Sequence, residues 1–295
     1  MIQTPMELQK IHFSQKETVD RVRSEYGHTL SSHAFASLYL WQHAMKLSLL
    51  CNEDFFAVQC GDREENAWFF PCGKEEEKYR FISEKISDQA FSLCYLRECD
   101  MKWLEERFPG RWLFRRAKSS DEYICNISEY LSLEGSKFAE IRRKIRKIDR
   151  NYRITTAAIS DETLCDALKV AEQWYGEEHH IGENGLTDDM IAELALKERK
   201  KLEISGIILY VDHVPASLFA GFPLSLDTVD VLIGKCTPNA PKGIVYYALR
   251  EYLRSLGGRY VYCNHEEDLG IAGIRQMKSS LCPITKTKIW EAVLR

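Results

Sequence analysis

The sequence predicts an α/β protein with two mostly antiparallel sheets and flanking helices, and three observations lead there. The element order β-α-α-β-β-β-α-β-α-β can be read through residues 1–133, where one further strand follows it, and again through 151–295. A strongly basic segment, 134–150, joins the two runs. The chain has 295 residues, 45% of them hydrophobic, enough for two domains with cores of their own. The architecture repeats; the sequence does not obviously do so.

In the first run, "LQKIHF" reads as a strand, and "QKETVDRVRSEYG" and "SHAFASLYLWQHA" as helices by their apolar spacing. "KLSLLC" and "FFAVQC" are strands joined by the turn "NED". "NAWFFPC" is a third strand, "EEEKYRFISEKI" a helix, "FSLCYL" a strand and "MKWLEERF" a helix. "RWLFRRA" and "EYICNI" close the run as strands.

In the second run, "YRITTAAI" alternates as a strand does. "DETLCDALKVAEQWYGEE" has helical spacing, with Asp161 as a candidate N-cap. "TDDMIAELALKERKK" carries acids in its first turn and lysines in its last, as the helix dipole favours. Strands "ISGIILYV" and "PASLFAGFPL" flank the tight turn "DH", and "TVDVLIGKC" follows. "GIVYYALREYLRSLG" is an amphipathic helix closed by Gly257. "RYVYCN" is a strand, "IAGIRQMKSS" a helix and "ITKTKIWEA" a last strand.

In the joining segment, Phe138, Ile141, Ile145 and Ile148 fall on one helical stripe. Lys137–Arg153 holds eight basic and two acidic residues, a balance of 8 − 2 = +6, within a chain of net charge −4. The segment reads either as a packed connector with a solvated face or as a patch that meets phosphates of RNA or of a lipid surface, through Arg142, Arg143, Arg146 and Lys147.

Composition excludes several classes. The negative net charge argues against a general polyanion binder. No integral membrane segment or apolar signal core is legible, so a cytoplasmic location is expected. Ten cysteines occur without a CxxC pair, which fits reduced, mostly buried thiols. A nucleophilic role for Cys263 or Cys282 is the alternative.

The doubled element order resembles the N-acetyltransferase (GNAT) fold present in tandem. The stretch "NHEEDLGIAGIRQMKSSLCP" is similar to the signature of the lysylphosphatidylglycerol synthase C-terminal domain-like family, as are "LEGSKFAEIRRKIRKI" and "SHAFASLYLW". The resemblance implies a tandem GNAT fold shared with Fem-type aminoacyltransferases. It implies transfer of an aminoacyl group from charged tRNA to an amine or hydroxyl acceptor, which could be a small molecule, a peptide or a lipid headgroup. No further cofactor is implied. His265 stands where the family often has arginine, and no membrane segments are fused to the chain, which weighs against a lipid acceptor.

An aminoacyl ester is already activated. Its transfer needs an aligned nucleophile, a proton acceptor and a hold on the developing oxyanion. Glu266, Glu267 and Asp268 are the candidate catalytic carboxylates, and such a cluster would also suit a cationic aminoacyl group. Asp268 also reads as the N-cap of the following helix, and for it the cap is the favoured reading. Asn264 either orients a substrate carbonyl or closes a turn, and His265 beside it is a candidate substrate contact. Arg275 and Lys278 share a helix face and either grip a phosphate or carboxylate or neutralise the acids nearby.

An acyl-CoA-dependent N-acyltransferase is the second reading, and a non-catalytic small-molecule or peptide-binding protein the third. CoA would need backbone N–H groups at a helix start. "KCTPNAPKGIVYY" offers one glycine, Gly243, and two prolines without N–H, Pro238 and Pro241, although Lys235 and Lys242 keep some affinity for an anion. In the first run, Glu75–Glu77 would repel a pyrophosphate, so that half reads as a scaffold or a wall of the cleft. Glu177, Glu178, His179 and His180 lack a metal-ligand spacing and read as a loop.

Overall fold

The alternating and helical patterns predict most of the elements that form, but not all of their neighbours. The computed structural model describes residues 7–61, 63, 66–88, 90–175 and 188–295. Chain order runs α1 (Lys16–Glu25), α2 (Phe35–Trp41), β1 (Leu47–Asn52), β2 (Phe55–Cys60), β3 (Asn66–Phe69), β4 (Cys72–Gly73), α3 (Glu75–Lys85), β5 (Phe91–Leu96), α4 (Glu98–Arg107) and β6 (Trp112–Arg116). It continues with β7 (Glu122–Asn126), α5 (Ile127–Ser132), α6 (Ala139–Asn151), β8 (Ile154–Ala158), α7 (Leu164–Tyr175), α8 (Asp188–Lys197), β9 (Ser205–Val211), β10 (Val214–Pro223) and β11 (Thr228–Cys236). The last elements are α9 (Ile244–Ser255), β12 (Tyr262–Asn264), α10 (Ala272–Ser280), β13 (Thr285–Thr287) and β14 (Trp290–Leu294).

One sheet has the order β1-β2-β3-β5-β14-β6, with β4 on β2; the other has β13-β7-β12-β11-β10-β9-β8. The pairs β3–β5 and β11–β12 are parallel. The expected "LQKIHF" strand shrinks to a single bridge, Gln9 to Leu49. The "DH" turn forms as expected: Asp212 and His213 take φ of 50° and 71°, which closes the β9–β10 hairpin at Val211–Val214.

The expected division at 133/134 and 150/151 does not coincide with the compact units. One unit is Met1–Glu122, Glu267–Gly270 and Thr287–Arg295; the other is Tyr123–Glu266 and Ile271–Lys286. The cause is strand pairing. β7, from the first run, inserts beside β12, and β14, from the end of the second, inserts between β5 and β6. Apolar alternation sets the faces of a strand but not its neighbour. "ITKTKIWEA" accordingly breaks into β13 and β14.

In the second unit, Phe138, Ile141, Ile145 and Ile148 are at most 3% exposed and pack with Leu249, Tyr252 and Leu253 of α9. The expected apolar stripe is thus a core face, and α6 belongs to this unit rather than standing apart as a linker. In the first unit, Phe81 and Ile82 of α3 and Leu104 of α4 pack with Trp68, Phe91 and Trp112 of the sheet.

Candidate functional site

A break in a parallel strand pair builds the site in the second unit. β11 and β12 pair over Thr228–Asp230 and Tyr262–Asn264 only, while β11 runs on to Cys236. At the break, the β10–β11 register shifts between Ala220 and Phe222, which face Ile233 and Asp230. Gly221 permits this approach: a Cβ there would stand 1.7 Å from the Asp230 carbonyl oxygen and 2.8 Å from the Tyr252 hydroxyl. Asp230 and Asn264 are register partners at the last paired position, and both are fully buried.

The chain then turns. Asn264 Oδ1 accepts from the Glu266 N–H at 2.8 Å, and Glu266 takes φ 53°. Asn264 therefore closes a turn, one of its two expected roles. His265 donates its backbone N–H to Tyr123 O at 2.9 Å, and its Nε2 lies 3.4 Å from Cys263 Sγ. Tyr252 has its phenol pushed up by burial first and by the Asp230 carboxylate second. Asp230 was absent from the expected site. The acid inside the apolar run "TVDVLIGKC" was the available signal.

Glu267 and Asp268 belong to the first unit. Asp268 is 2% exposed, and its Oδ1 accepts from the Gly270 N–H at 2.9 Å. It does not cap α10, which begins at Ala272 with Ile271 in the N-cap position. The chain needs Leu269 and Gly270, at φ 53° and 78°, to complete the turn first. Glu267 acts on Tyr95, whose phenol is raised well above its usual range by burial and then by that carboxylate. Tyr95 takes φ 56°, its ring 4.6 Å from Phe69 and 5.4 Å from the Arg63 guanidinium. Arg63 in turn pairs with Glu291 at 2.5 Å. The three acids adjacent in sequence are thus distributed, Glu266 in one unit and Glu267 and Asp268 in the other.

The expected cations occupy different settings. Lys235 is 3% exposed on β11, and Lys242 is exposed just before α9. Arg275 is exposed on α10, with Lys278 half-buried one turn later. At the start of α9, Gly243 takes φ 93°, and a Cβ there would touch Lys144 Cβ at 3.0 Å. The Lys144 ammonium lies 4.6 Å over the Tyr246 ring. A lysine stem therefore covers the helix start that a pyrophosphate would use.

The outer face of α6 lines an open groove of about 620 Å³ with Ala139, Arg142, Arg143, Arg146, Lys147, Arg150 and Asn151. These cations differ. Arg142 donates to Leu133 O and to Gly135 O, the latter at 2.6 Å, and Arg143 pairs with Glu140 at 2.7 Å. Arg146, Lys147 and Arg150 make no ion pair among the described residues. Arg150 extends the patch beyond the residues expected.

Among the described residues, no group of three or more His, Cys, Asp or Glu is placed to hold a metal ion. Glu177, Glu178, His179 and His180 lie outside the described residues. No helix among those described is long and apolar enough to cross a membrane.

Residues 23–292 match the family described as phosphatidylglycerol lysyltransferase, C-terminal. No curated protein matches the chain. A protein of unknown function from Bacteroides thetaiotaomicron VPI-5482 superposes with TM-score 0.89 at 21% identity, covering 99% of this chain and 100% of that one. L-PGS from Bacillus licheniformis superposes with TM-score 0.66 at 15% identity, over 97% of this chain and 92% of its own. FemX superposes with TM-score 0.56 at 9% identity, over 97% of each chain. The fold is therefore the tandem GNAT fold that the element order and the resemblance led one to expect.

Proposed function

The chain belongs to the phosphatidylglycerol lysyltransferase C-terminal family, and from that premise we propose that it moves an aminoacyl group from charged tRNA to an amine or hydroxyl acceptor. The observation that carries the reading is the parting of β11 from β12 after Asp230 and Asn264. It leaves Val231–Cys236 of β11 unpaired with β12, beside a buried acid and a tight turn bearing Glu266. Backbone N–H and C=O groups on a strand edge can hold the amide-like part of a substrate in register.

In this reading Glu266 takes the proton from the attacking amine or hydroxyl as the new bond forms to the ester carbonyl carbon. The tRNA terminal ribose oxygen leaves and takes up a proton. Asp230 and Glu266 offer negative charge to a cationic α-amine or lysyl side chain. Arg275 and Lys278 are assigned to the phosphate or carboxylate end of the substrates. Glu267 and Asp268 shape the chain that follows, and Asp268 acts through its turn to Gly270. Arg146, Lys147 and Arg150 hold RNA phosphates, being the cations of α6 whose side chains, among the described residues, are committed to neither an ion pair nor a backbone carbonyl. CoA is disfavoured as donor by the Lys144 stem at Gly243 and by Pro238 and Pro241.

The experiment is transfer of a radiolabelled aminoacyl group from a mixed pool of charged tRNA to small amine, peptide and phosphatidylglycerol acceptors. Label appearing in an acceptor, and lost with Glu266→Gln, supports the reading. Thermal stabilisation by CoA with none by tRNA would overturn it.

A further inference from the structure

Cys125 of β7 and Cys263 of β12 stand opposite each other in an antiparallel ladder. The His265 N–H to Tyr123 O bond and the Ile127 N–H to Val261 O bond, each 2.9 Å, flank them. Those bonds put the cysteines at a hydrogen-bonded position, where opposed Cα atoms are about 5.5 Å apart. A disulfide spans Cα separations of roughly 4.4–6.8 Å. Both thiols are free and at most 2% exposed. Cys263 Sγ lies 3.4 Å from His265 Nε2 and 3.8 Å from Cys125 O. Cys125 Sγ is 3.9 Å from Leu281 O.

The two sulfurs are not equivalent. The hydrogen bond from Cys263, opposed by burial and joined by one from His265, draws the Cys125 thiol below its ordinary value. That same bond, together with burial, pushes Cys263 up. Two thiols opposed across a ladder, one of them in contact with an imidazole, are placed for stepwise oxidation.

We propose that Cys125 and Cys263 form a reversible dithiol–disulfide site whose oxidant is a small peroxide. Cys125 gives up its thiol proton as its sulfur attacks one peroxide oxygen; the O–O bond breaks, and the leaving hydroxide takes up that proton to become water. The resulting sulfenic acid is attacked at sulfur by Cys263, whose proton passes by way of His265 to the departing hydroxide. One S–S bond forms, the dithiol loses two electrons, and hydrogen peroxide becomes two waters. Peroxide is close to water in size and reaches the pair only when the ladder opens locally, so the reaction is slower than at exposed Cys99 and Cys165.

The bond has a structural consequence. Facing Cβ atoms at a hydrogen-bonded position are about 5.5 Å apart, and a disulfide holds them at about 3.8 Å. Closing that gap displaces β12 at the residue before Asn264. A strained disulfide is also easily reduced, which makes the change reversible. The inference goes beyond the aminoacyl-transfer reading and does not depend on it.

The test uses the full chain, folded, treated with hydrogen peroxide, quenched with an alkylating agent, digested and mapped by mass spectrometry. The expected product joins the Cys125 and Cys263 peptides and disappears with dithiothreitol. Cys263→Ser should trap Cys125 as a sulfenic acid that dimedone labels. His265→Gln should slow the cross-link about tenfold while leaving Cys99 oxidation unchanged. If Cys125 and Cys263 are both recovered as alkylatable thiols after Cys99 and Cys165 have been oxidised, the proposal fails. That mapping needs no variant to fold.

Discussion

Arg116 holds Asp121 with both terminal guanidinium nitrogens, at 2.6 and 2.5 Å, and its Nη1 also donates to Ile289 O at 2.6 Å. Asp121 Oδ1 in turn accepts from the Ile289 N–H at 3.0 Å. The pair thus clamps the residue just before β14, the strand that completes the first sheet between β5 and β6. Its side chains are 19% and 12% exposed, so removing one partner strands a largely desolvated charge. Arg116→Ala should cost about 2–4 kcal/mol, less than the loss expected for a fully buried pair. Urea unfolding of the variant, with Asp121→Asn alongside, measures this. A loss below about 1 kcal/mol would make the clamp an ordinary surface pair.

Acid should weaken the first unit through His28 and His33. Their rings stack at 3.7 Å, and both are almost fully buried. Burial first, and then neighbouring positive charge, holds His28 well below its usual range. Burial brings His33 down to about 3, against an upward pull from its bond to Phe70 O. In the unfolded chain both protonate near pH 6.5. Below that pH the unfolded state binds more protons than the folded one, so stability falls as pH drops from about 6.5 toward 3. The limiting slope is about 1.4 kcal/mol per pH unit for each histidine. His28→Phe should shed about half of that slope, as read by urea midpoints at pH 7 and pH 5.

Buried hydroxyls can be tested by deletion. The Tyr252 hydroxyl has no hydrogen-bond partner among the described residues, and it sits where a Gly221 side chain would go. Tyr252→Phe should therefore be neutral or stabilising by up to about 1 kcal/mol. Gly221→Ala should destabilise by more than about 3 kcal/mol, because its methyl meets the Asp230 carbonyl rather than a movable side chain. Thermal melts of the two variants, run together, check the opposite signs.

Much of this fold was legible in the sequence, and the exceptions have identifiable causes. The stripe of Phe138, Ile141, Ile145 and Ile148 announced both a helix and its buried face, because helical spacing and burial report the same geometry. The exchange of β7 and β14 was not legible, since no local pattern encodes which strand a strand pairs with. Asp161 looked like a helix cap, yet α7 begins at Leu164 and Asp161 instead pairs with Lys200 at 2.6 Å. Asp230 and Tyr95 were missed because their settings come from long-range packing: a parallel register in one case and a left-handed backbone at a strand end in the other.

The cations of α6 separate structure from binding. Arg142 is committed to Leu133 O and Gly135 O, the carbonyls just after α5. Arg142→Ala should lower stability by about 1–2 kcal/mol through those acceptors. The triple change Arg146→Ala, Lys147→Ala, Arg150→Ala touches no ion pair among the described residues and should leave the melting curve nearly unchanged. In tRNA titrations from 50 to 200 mM salt, the same triple change should reduce the slope of log K against log salt by about 2–3. An unchanged slope would remove α6 from the RNA contact.

Glu266 and Asp230 differ in what their loss should do. Glu266 sits in a left-handed turn whose N–H is held by Asn264, so its side chain is presented from a fixed backbone. On the proposal that it accepts the proton, its change to Gln should lower kcat about 10²- to 10⁴-fold with little effect on KM for charged tRNA. Asp230 is fully buried at the end of the paired register, where its charge can attract an amine. Asp230→Asn should raise KM for a cationic aminoacyl group about tenfold and spare a neutral one. Asn264→Ala removes the acceptor for the Glu266 N–H and should reproduce the kcat loss in part, because the turn, rather than the carboxylate, is then lost. Steady-state transfer with lysyl and alanyl donors separates the three patterns. Equal losses in all three variants would indicate general disruption of β12 instead of divided roles.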